Sequence, residues 1–272
     1  MPEAVTLDTG LMQDTPRLGP DGRMAFRCDP SMDCFGRCCH DVSILLTPYD
    51  VLRMKQALQL DSTEFLERYT SVMASTDKRV PVVFLKMDPE TLKCQFVGNE
   101  GCRVYAHRPW ACRMYPLGMA EPAAPGADAE ARRFYFIVKE ELCHGHGANH
   151  GGDCAVRDFL DSQGIAPYDA SQPSFRQLLV ASAEMEGPLT PEQSAMCHMA
   201  LYDLDRFRRF VFETRFLELF EVDETRVEAL RTDDEELLEL AIDWIAFSLF
   251  RQPRMKIKKS ASVEGRVSTN KR

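Results

Sequence analysis

The sequence predicts an α+β protein: a cysteine-rich metal-binding module of short strands and helices, followed by a mainly helical C-terminal module. Three observations point there. Eight of the ten cysteines lie between Cys28 and Cys143. The runs "VPVVFLKM" (80–87) and "RFYFIV" (133–138) are β-branched and aromatic and bounded by polar or turn residues, the composition of strands. From Ala155 onward the apolar residues return at helical spacing. The expected organisation is an irregular lead-in over 1–25, a cysteine-cluster domain over 26–168, a helical module over 169–252 and a basic flexible tail over 253–272.

Composition bounds the chemistry. A chain of 272 residues can bury a full core without covalent or metal staples. Its 44% apolar and 28% charged content is that of an ordinary globular protein. No apolar run approaches the roughly 18 residues of a membrane span. The first residues show no basic n-region ahead of an apolar stretch, so no secretory signal is expected and the expected location is the cytoplasm. Thiols stay reduced there, and a dense cysteine group then points to metal rather than disulfides. The net charge is −9, yet the residues from Arg251 onward carry +7, which leaves −16 on the body. That disfavours nucleic-acid binding by the folded part, and the tail reads as a solvated basic terminus. A redox or protein partner is left open.

In chain order, Val42 to Leu46 reads as a short strand or buried extended segment. Thr47, Pro48 and Asp50 then have the pattern of a capped helix start, with Val51, Leu52, Met54 and Leu58 on its apolar side. Asp61 and Glu64 repeat the capping pattern, and Phe65, Leu66, Tyr69, Val72 and Met73 keep helical spacing. The stretch 120–133 is a Pro/Ala/Gly loop, and "CHGHGANHGGDC" (143–154) is too glycine-rich for either regular element. Thr190 and Pro191 open a long amphipathic helix running to about Phe220, and Asp223 and Asp233 cap two more.

The cysteine spacing is Cys28-x5-Cys34-x3-Cys38-Cys39, Cys94-x7-Cys102-x9-Cys112, then Cys143, Cys154 and Cys197. Thiolates are soft ligands suited to zinc and to iron–sulfur clusters. Side chains of adjacent residues in extended chain diverge, so Cys38 and Cys39 suit two metal atoms better than one. A polynuclear centre, or two neighbouring sites, fits that better than a single tetrahedral zinc. Cys197 lies on an apolar helical stripe with Leu201, Leu204, Phe207 and Val211 and reads as core. Cys154 precedes a helix and is open between a ligand and a reactive thiol. His144, His146 and His150 read as solvent-exposed or ligand-supporting, His40 and His107 flank candidate ligands, and His198 reads as structural. Arg108 and Arg113 stand beside candidate ligands, where their charge can offset that of thiolates and their N–H groups can donate to sulfur. The C-x3-C-x2-C loop of radical chemistry on S-adenosylmethionine fails, because its third position is Asp41.

Across these residues the chain resembles the YkgJ-type cysteine-cluster family of zinc- or iron-chelating domains. The resemblance runs through Phe26-x-Cys28, Cys34-x3-Cys38-Cys39, "LTPYDVLRMK" and "LERYT". It continues through Cys94-x7-Cys102-x2-Tyr105-x2-Arg108-Pro109-x2-Cys112-Arg113-x-Tyr115-Pro116 to Cys143-His144-Gly145, covering about residues 26–168. It implies Cys28, Cys34, Cys38, Cys39, Cys94, Cys102, Cys112 and Cys143 as metal ligands. A related family member, the flagellin lysine methylase, supplies an enzyme alternative, although no glycine-rich cofactor loop follows a strand here.

The expected function is therefore metal binding by clustered thiolates. The first reading is an iron–sulfur protein, with a [4Fe–4S] centre and a redox or protein-modifying role. The alternative is a zinc protein in which the metal fixes loops and the helical module binds a partner. No catalytic residue is assigned.

Overall fold

The helix starts written into the sequence are the frame of the structure. The chain is described by a computed structural model over residues 16–73, 80–120, 133–147 and 152–258. The lead-in up to residue 15, most of the 120–133 loop, His150 and the tail beyond Lys258 lie outside the described residues.

Thr47 caps α1 (Pro48–Leu58): its hydroxyl accepts from the Asp50 N–H at 3.1 Å, and the Asp50 carboxylate accepts from the Thr47 N–H at 2.8 Å. Asp61 caps α2 (Ser62–Tyr69) by accepting from the Glu64 N–H. The expected helical spacing through Val72 and Met73 is overturned, because α2 ends at Tyr69 and residues Thr70–Met73 form β3. The Thr70 hydroxyl donates to the Leu66 carbonyl at 2.7 Å, which closes the last turn, and β3 then pairs antiparallel with β4 (Val82–Leu85). On its other edge β4 pairs with β2 (Leu45–Leu46).

The remaining strands form small antiparallel pairs. β1 (Arg23–Ala25) lies against β9 (Asp153–Ala155), β5 (Val97–Gly98) against β6 (Gly101–Cys102), and β7 (Leu117–Ala120) against β8 (Phe134–Ile137). The short helix α3 (Trp110–Met114) lies between β6 and β7. The fold is α+β, with the strands confined to the N-terminal side.

Beyond β9 the described chain is helical: α4 (Val156–Ser162), α5 (Ala166–Ala183), α6 (Pro191–Leu201), α7 (Leu204–Glu213), α8 (Phe216–Leu219), α9 (Glu224–Ala229) and α10 (Asp234–Phe250). Asp223 and Asp233 cap α9 and α10 as expected. The single long helix expected from Thr190 to Phe220 is instead α6, α7 and α8. The first break falls at Asp203, whose carboxylate caps α7 through the Arg206 N–H and accepts the Ser62 hydroxyl at 2.6 Å. At the second break Thr214 is extended and its hydroxyl returns to the Phe210 carbonyl.

One core joins both sides of residue 168. Leu46, Leu52, Met54 and Phe65 pack in the same cluster as Leu201, Phe207, Leu237 and Ile245, all fully buried. Each such side chain contributes roughly 1.5–3 kcal/mol of burial. A charged clamp fixes α1 to the helices: Lys55, 7% exposed, meets Asp205 at 3.0 Å and Asp234 at 2.9 Å, and Arg208 bonds both acids. A second, smaller core of Met24, Met114, Leu117, Tyr135, Val156 and Phe159 backs the cysteine region.

The start of the basic tail is not free. Met255 is buried, the Glu221 N–H donates to the Lys256 carbonyl at 2.8 Å, and the Lys258 N–H donates to the Leu219 carbonyl at 2.8 Å. An apolar side chain and two backbone bonds anchor residues 253–258 despite their basic flanks.

Candidate metal centre

All ten cysteines are free thiols, and the fold sorts them. The first gathering point follows β1. The Arg27 N–H donates to the Gly145 carbonyl, Gly147 donates to Ala25, and Phe26 bridges to His146, so the segment carrying Cys143 runs beside the one carrying Cys28. A series of tight turns then brings Cys34 and Cys38 to the same place: Met32 to Asp29, Phe35 to Met32, Arg37 to Cys34 and Cys39 to Gly36. Gly36 sits at φ 77°, a left-handed conformation that an L side chain would strain, and it opens the 3-10 turn Arg37–Cys39. Cys28, Cys34, Cys38 and Cys143 form the first group, and the Cys28 thiol is pushed up to about 11 by burial and by the charges of the other three.

The second group lies on the other side of the same turn. The Cys94 N–H donates to the Cys39 carbonyl at 2.7 Å, and the Asp41 N–H donates to the Leu92 carbonyl at 2.8 Å. These bonds set Cys39 opposite Cys94, while the β5–β6 hairpin places Val97 opposite Cys102. Helix α3 carries Cys112. Burial, then Cys94, Asp50 and Cys102, pushes the Cys112 thiol up to about 12. Cys39 is raised by its hydrogen bond to Cys38, by burial, and by Cys38, Cys94 and Cys112; Cys38 is lowered by that same bond. Cys94 and Cys102 are raised, each chiefly by burial. Two sets of thiols, Cys28, Cys34, Cys38, Cys143 and Cys39, Cys94, Cys102, Cys112, thus meet at the adjacent pair, which lies in a 3-10 turn rather than extended chain and whose thiols bond each other.

The donor chemistry fits a thiophilic metal. Four soft sulfurs per group suit zinc or an iron–sulfur centre and not magnesium or calcium. Burial disfavours the thiolates of Cys28, Cys39, Cys94, Cys102 and Cys112, and a bound cation would offset that cost. Backbone donors are already aimed at several sulfurs: His144 N–H to Cys34 at 3.3 Å, Phe96 and Val97 to Cys94, and Val104 to Cys102. The set of three ligand atoms lying within 4.8 Å of one another, among the described residues, is Asp33, Cys34 and His144. Three sulfurs of one group are therefore spread more widely than on a tetrahedral zinc, where a Zn–S length of about 2.3 Å brings them to about 3.8 Å.

The arginines act differently from the expected donation to sulfur. Arg113 is buried and donates to the carbonyls of Arg108 at 3.0 Å, Gln163 at 2.5 Å and Ala106 at 2.5 Å, and to the Tyr168 hydroxyl. Those partners take four of its five N–H donors, so it braces the backbone around Cys112. Arg108 bonds the Tyr105 carbonyl and Gln163 and lies over the Tyr105 ring. Burial lowers it, while the neighbouring Cys112 and Cys102 oppose that, so its charge reaches the second group through space.

Asp50 is the residue that sequence reasoning placed only as a helix cap. It is fully buried and also accepts from the Trp110 N–H at 2.7 Å, which ties α1 to α3 two residues before Cys112. Burial raises its carboxyl to about 6. The Tyr115 hydroxyl, likewise unassigned from sequence, bonds Glu140 at 3.0 Å and the Cys143 sulfur. A capping pattern carries no sign of burial, and a tyrosine within a motif carries no sign of its partner.

Other expected positions sort plainly. Cys197 is fully buried in the main core. Cys154 sits in β9 opposite Met24, packs on the smaller core, and is raised by burial rather than activated by the helix that follows. His144 Nδ1 pairs with Asp33 at 2.9 Å, His146 packs on the Phe26 ring, and His198 packs on Tyr202.

Fold and thiol groups define a cysteine-ligating metal-binding protein. Residues 27–144, less than half of the chain, match the CxxCxxCC family model, described as a "putative zinc- or iron-chelating domain", so this stretch is similar to that family. No curated protein and no solved structure matches the chain. No helix among the described residues is long and apolar enough to cross a membrane.

Proposed function

We propose that the chain holds two four-cysteine metal centres, at least one an iron–sulfur centre of the four-iron type, with a redox or protein-modifying role in the cytoplasm. What supports this reading is that Cys38 acts on Cys28 while Cys94 and Cys112 act on Cys39, although the two adjacent thiols also bond each other. An iron–sulfur centre supplies one-electron chemistry when bound. The chain's own residues supply the rest. N–H groups of His144, Phe96, Val97 and Val104 stabilise thiolate charge, and Arg108 offsets it at Cys102 and Cys112.

Zinc is the second reading, favoured by the all-thiol donor set on loops with little regular structure. Protein prepared without oxygen, from cells grown with iron, separates the two. A brown protein with broad visible absorption, iron and acid-labile sulfide is expected. A colourless protein with stoichiometric zinc and no sulfide would replace the iron–sulfur reading with zinc.

A further inference from the structure

Behind the Cys39–Cys94 pair lies an open cleft of about 770 Å³, lined among others by Phe35, Arg37, His40, Lys93, Asn99 and Leu142. Its position follows from the short ladder. Residues His40 and Lys93 are a bridged antiparallel pair, and side chains of successive residues in such a ladder leave on opposite faces. Lys93 and Cys94 follow that alternation, while Cys39 closes the Arg37–Cys39 turn, and the cleft is lined by Arg37, His40 and Lys93, within two residues of Cys39 and Cys94 in the chain.

The cleft has an unusual charge for this chain. The protein carries −9 overall, yet Arg37 and Lys93 line the cleft. Among the described residues neither their guanidinium nor their ammonium has a salt-bridge or hydrogen-bond partner. Asp41 is the one acid in the lining, so the two cations outnumber it. Phe35, Val97 and Leu142 add apolar wall, and Asn99 adds an amide. The volume falls in the range of small-molecule sites. Paired cations beside an apolar wall suit an anion on an organic body.

We propose that this cleft binds a small organic anion bearing a carboxylate or phosphate group, held by Arg37 and Lys93 against Phe35 and Leu142. The ligand would sit directly behind Cys39 and Cys94, the position of a substrate or effector of the metal centre. The inference goes beyond the metal reading and does not depend on which metal is held.

The test is calorimetric titration of the full chain, purified without oxygen with its metal, using benzoate, phenyl phosphate and neutral phenol as probes. At least one anion should bind more tightly than phenol; the better of the two tells a carboxylate site from a phosphate site. Arg37→Gln and Lys93→Gln should each weaken that binding by about tenfold or more, the loss of one charge-assisted contact, whereas Lys93→Arg should keep it. Metal content should be unchanged in all three, because these side chains are exposed and neither bonds a cysteine. Equal affinity for phenol and both anions, or binding that survives both glutamine substitutions, would overturn the proposal. Failure of the iron–sulfur reading would appear separately, in the metal and sulfide analysis.

Discussion

The Cys94 N–H donates to the Cys39 carbonyl at 2.7 Å, and this bond holds two thiols from distant parts of the chain opposite one another. Because Cys39 also closes the turn that begins at Gly36 and its thiol bonds that of Cys38, the same few residues stand where the two sets of thiols meet. Disturbing that turn, or the elements braced against it, should therefore reach both groups.

Asp50 is one such brace, and its burial gives it a pH signature. Its carboxyl is raised by burial from an ordinary 3.8 to about 6, so between these values the folded state binds more protons than the unfolded chain. The stabilising protonated form is fully present below about pH 4 and is lost as pH rises through about 6. Asp50→Asn removes that dependence. From pH 5 to pH 7.5 the wild type should lose about 1 kcal/mol relative to the variant, measured by urea unfolding of both. A stability difference that stays flat across this range would mean that Asp50 is not a buried carboxyl in solution.

Much of this frame was legible in the sequence, and the reason is locality. Thr47-Pro48-Asp50, Thr190-Pro191 and Asp233 each carry their helix start within four residues, so the pattern and the structure coincide. Cys197 was legible as core because its neighbours repeat at helical spacing. What failed was non-local. The spacing of Val72 and Met73 continues a helix, and only pairing with β4 makes them strand. Asp203 breaks the expected long helix because its carboxylate meets Ser62 on another element. The division of eight cysteines into two fours depends on chain segments over a hundred residues apart, Cys28 beside Cys143, which no spacing encodes. Arg113 sits beside a ligand in sequence, yet its donors go to carbonyls that only the fold brings near.

The Lys55 clamp should show the opposite pH behaviour to Asp50. For Asp205 and Asp234, burial alone would raise the carboxyl, but it is outweighed: by the Ser62 N–H and then Lys55 at Asp205, by Arg208 and Lys55 at Asp234. Both acids are held below the usual range, so their contribution is present above about pH 4 and lost as pH falls through their folded values. Lys55→Met should cost about 3–5 kcal/mol at pH 7, because one cation is left for two buried acids. That penalty should shrink towards pH 4 as the acids protonate. Denaturant unfolding across this range measures it, and a cost under about 1 kcal/mol at pH 7 would show the clamp to be dispensable.

Two truncations separate the anchored part of the basic tail from the rest. A chain ending at Lys258 keeps Met255 buried and both backbone bonds to the Leu219–Glu221 segment, and should retain the thermal transition. A chain ending at Gln252 loses them all and should be destabilised by about 2–4 kcal/mol. Identical transitions for the two would return residues 253–258 to a solvated tail.

The central claim is that Cys38 and Cys39 serve different centres, and metal counting in paired variants tests it most directly. The measurement is metal and acid-labile sulfide per folded chain, in anaerobic preparations, for Cys28→Ser, Cys38→Ser and Cys112→Ser alone and in pairs, with Cys197→Ala as the packing control. Cys28→Ser with Cys38→Ser should lose no more metal than either alone, because both fall in one group. Cys38→Ser with Cys112→Ser should lose the metal of both groups, and Cys197→Ala should keep all of it. The contrary result is a single cysteine substitution that empties the whole chain, with Cys28→Ser and Cys112→Ser giving the same loss as their combination; that would make the eight thiols one centre and end the two-centre account.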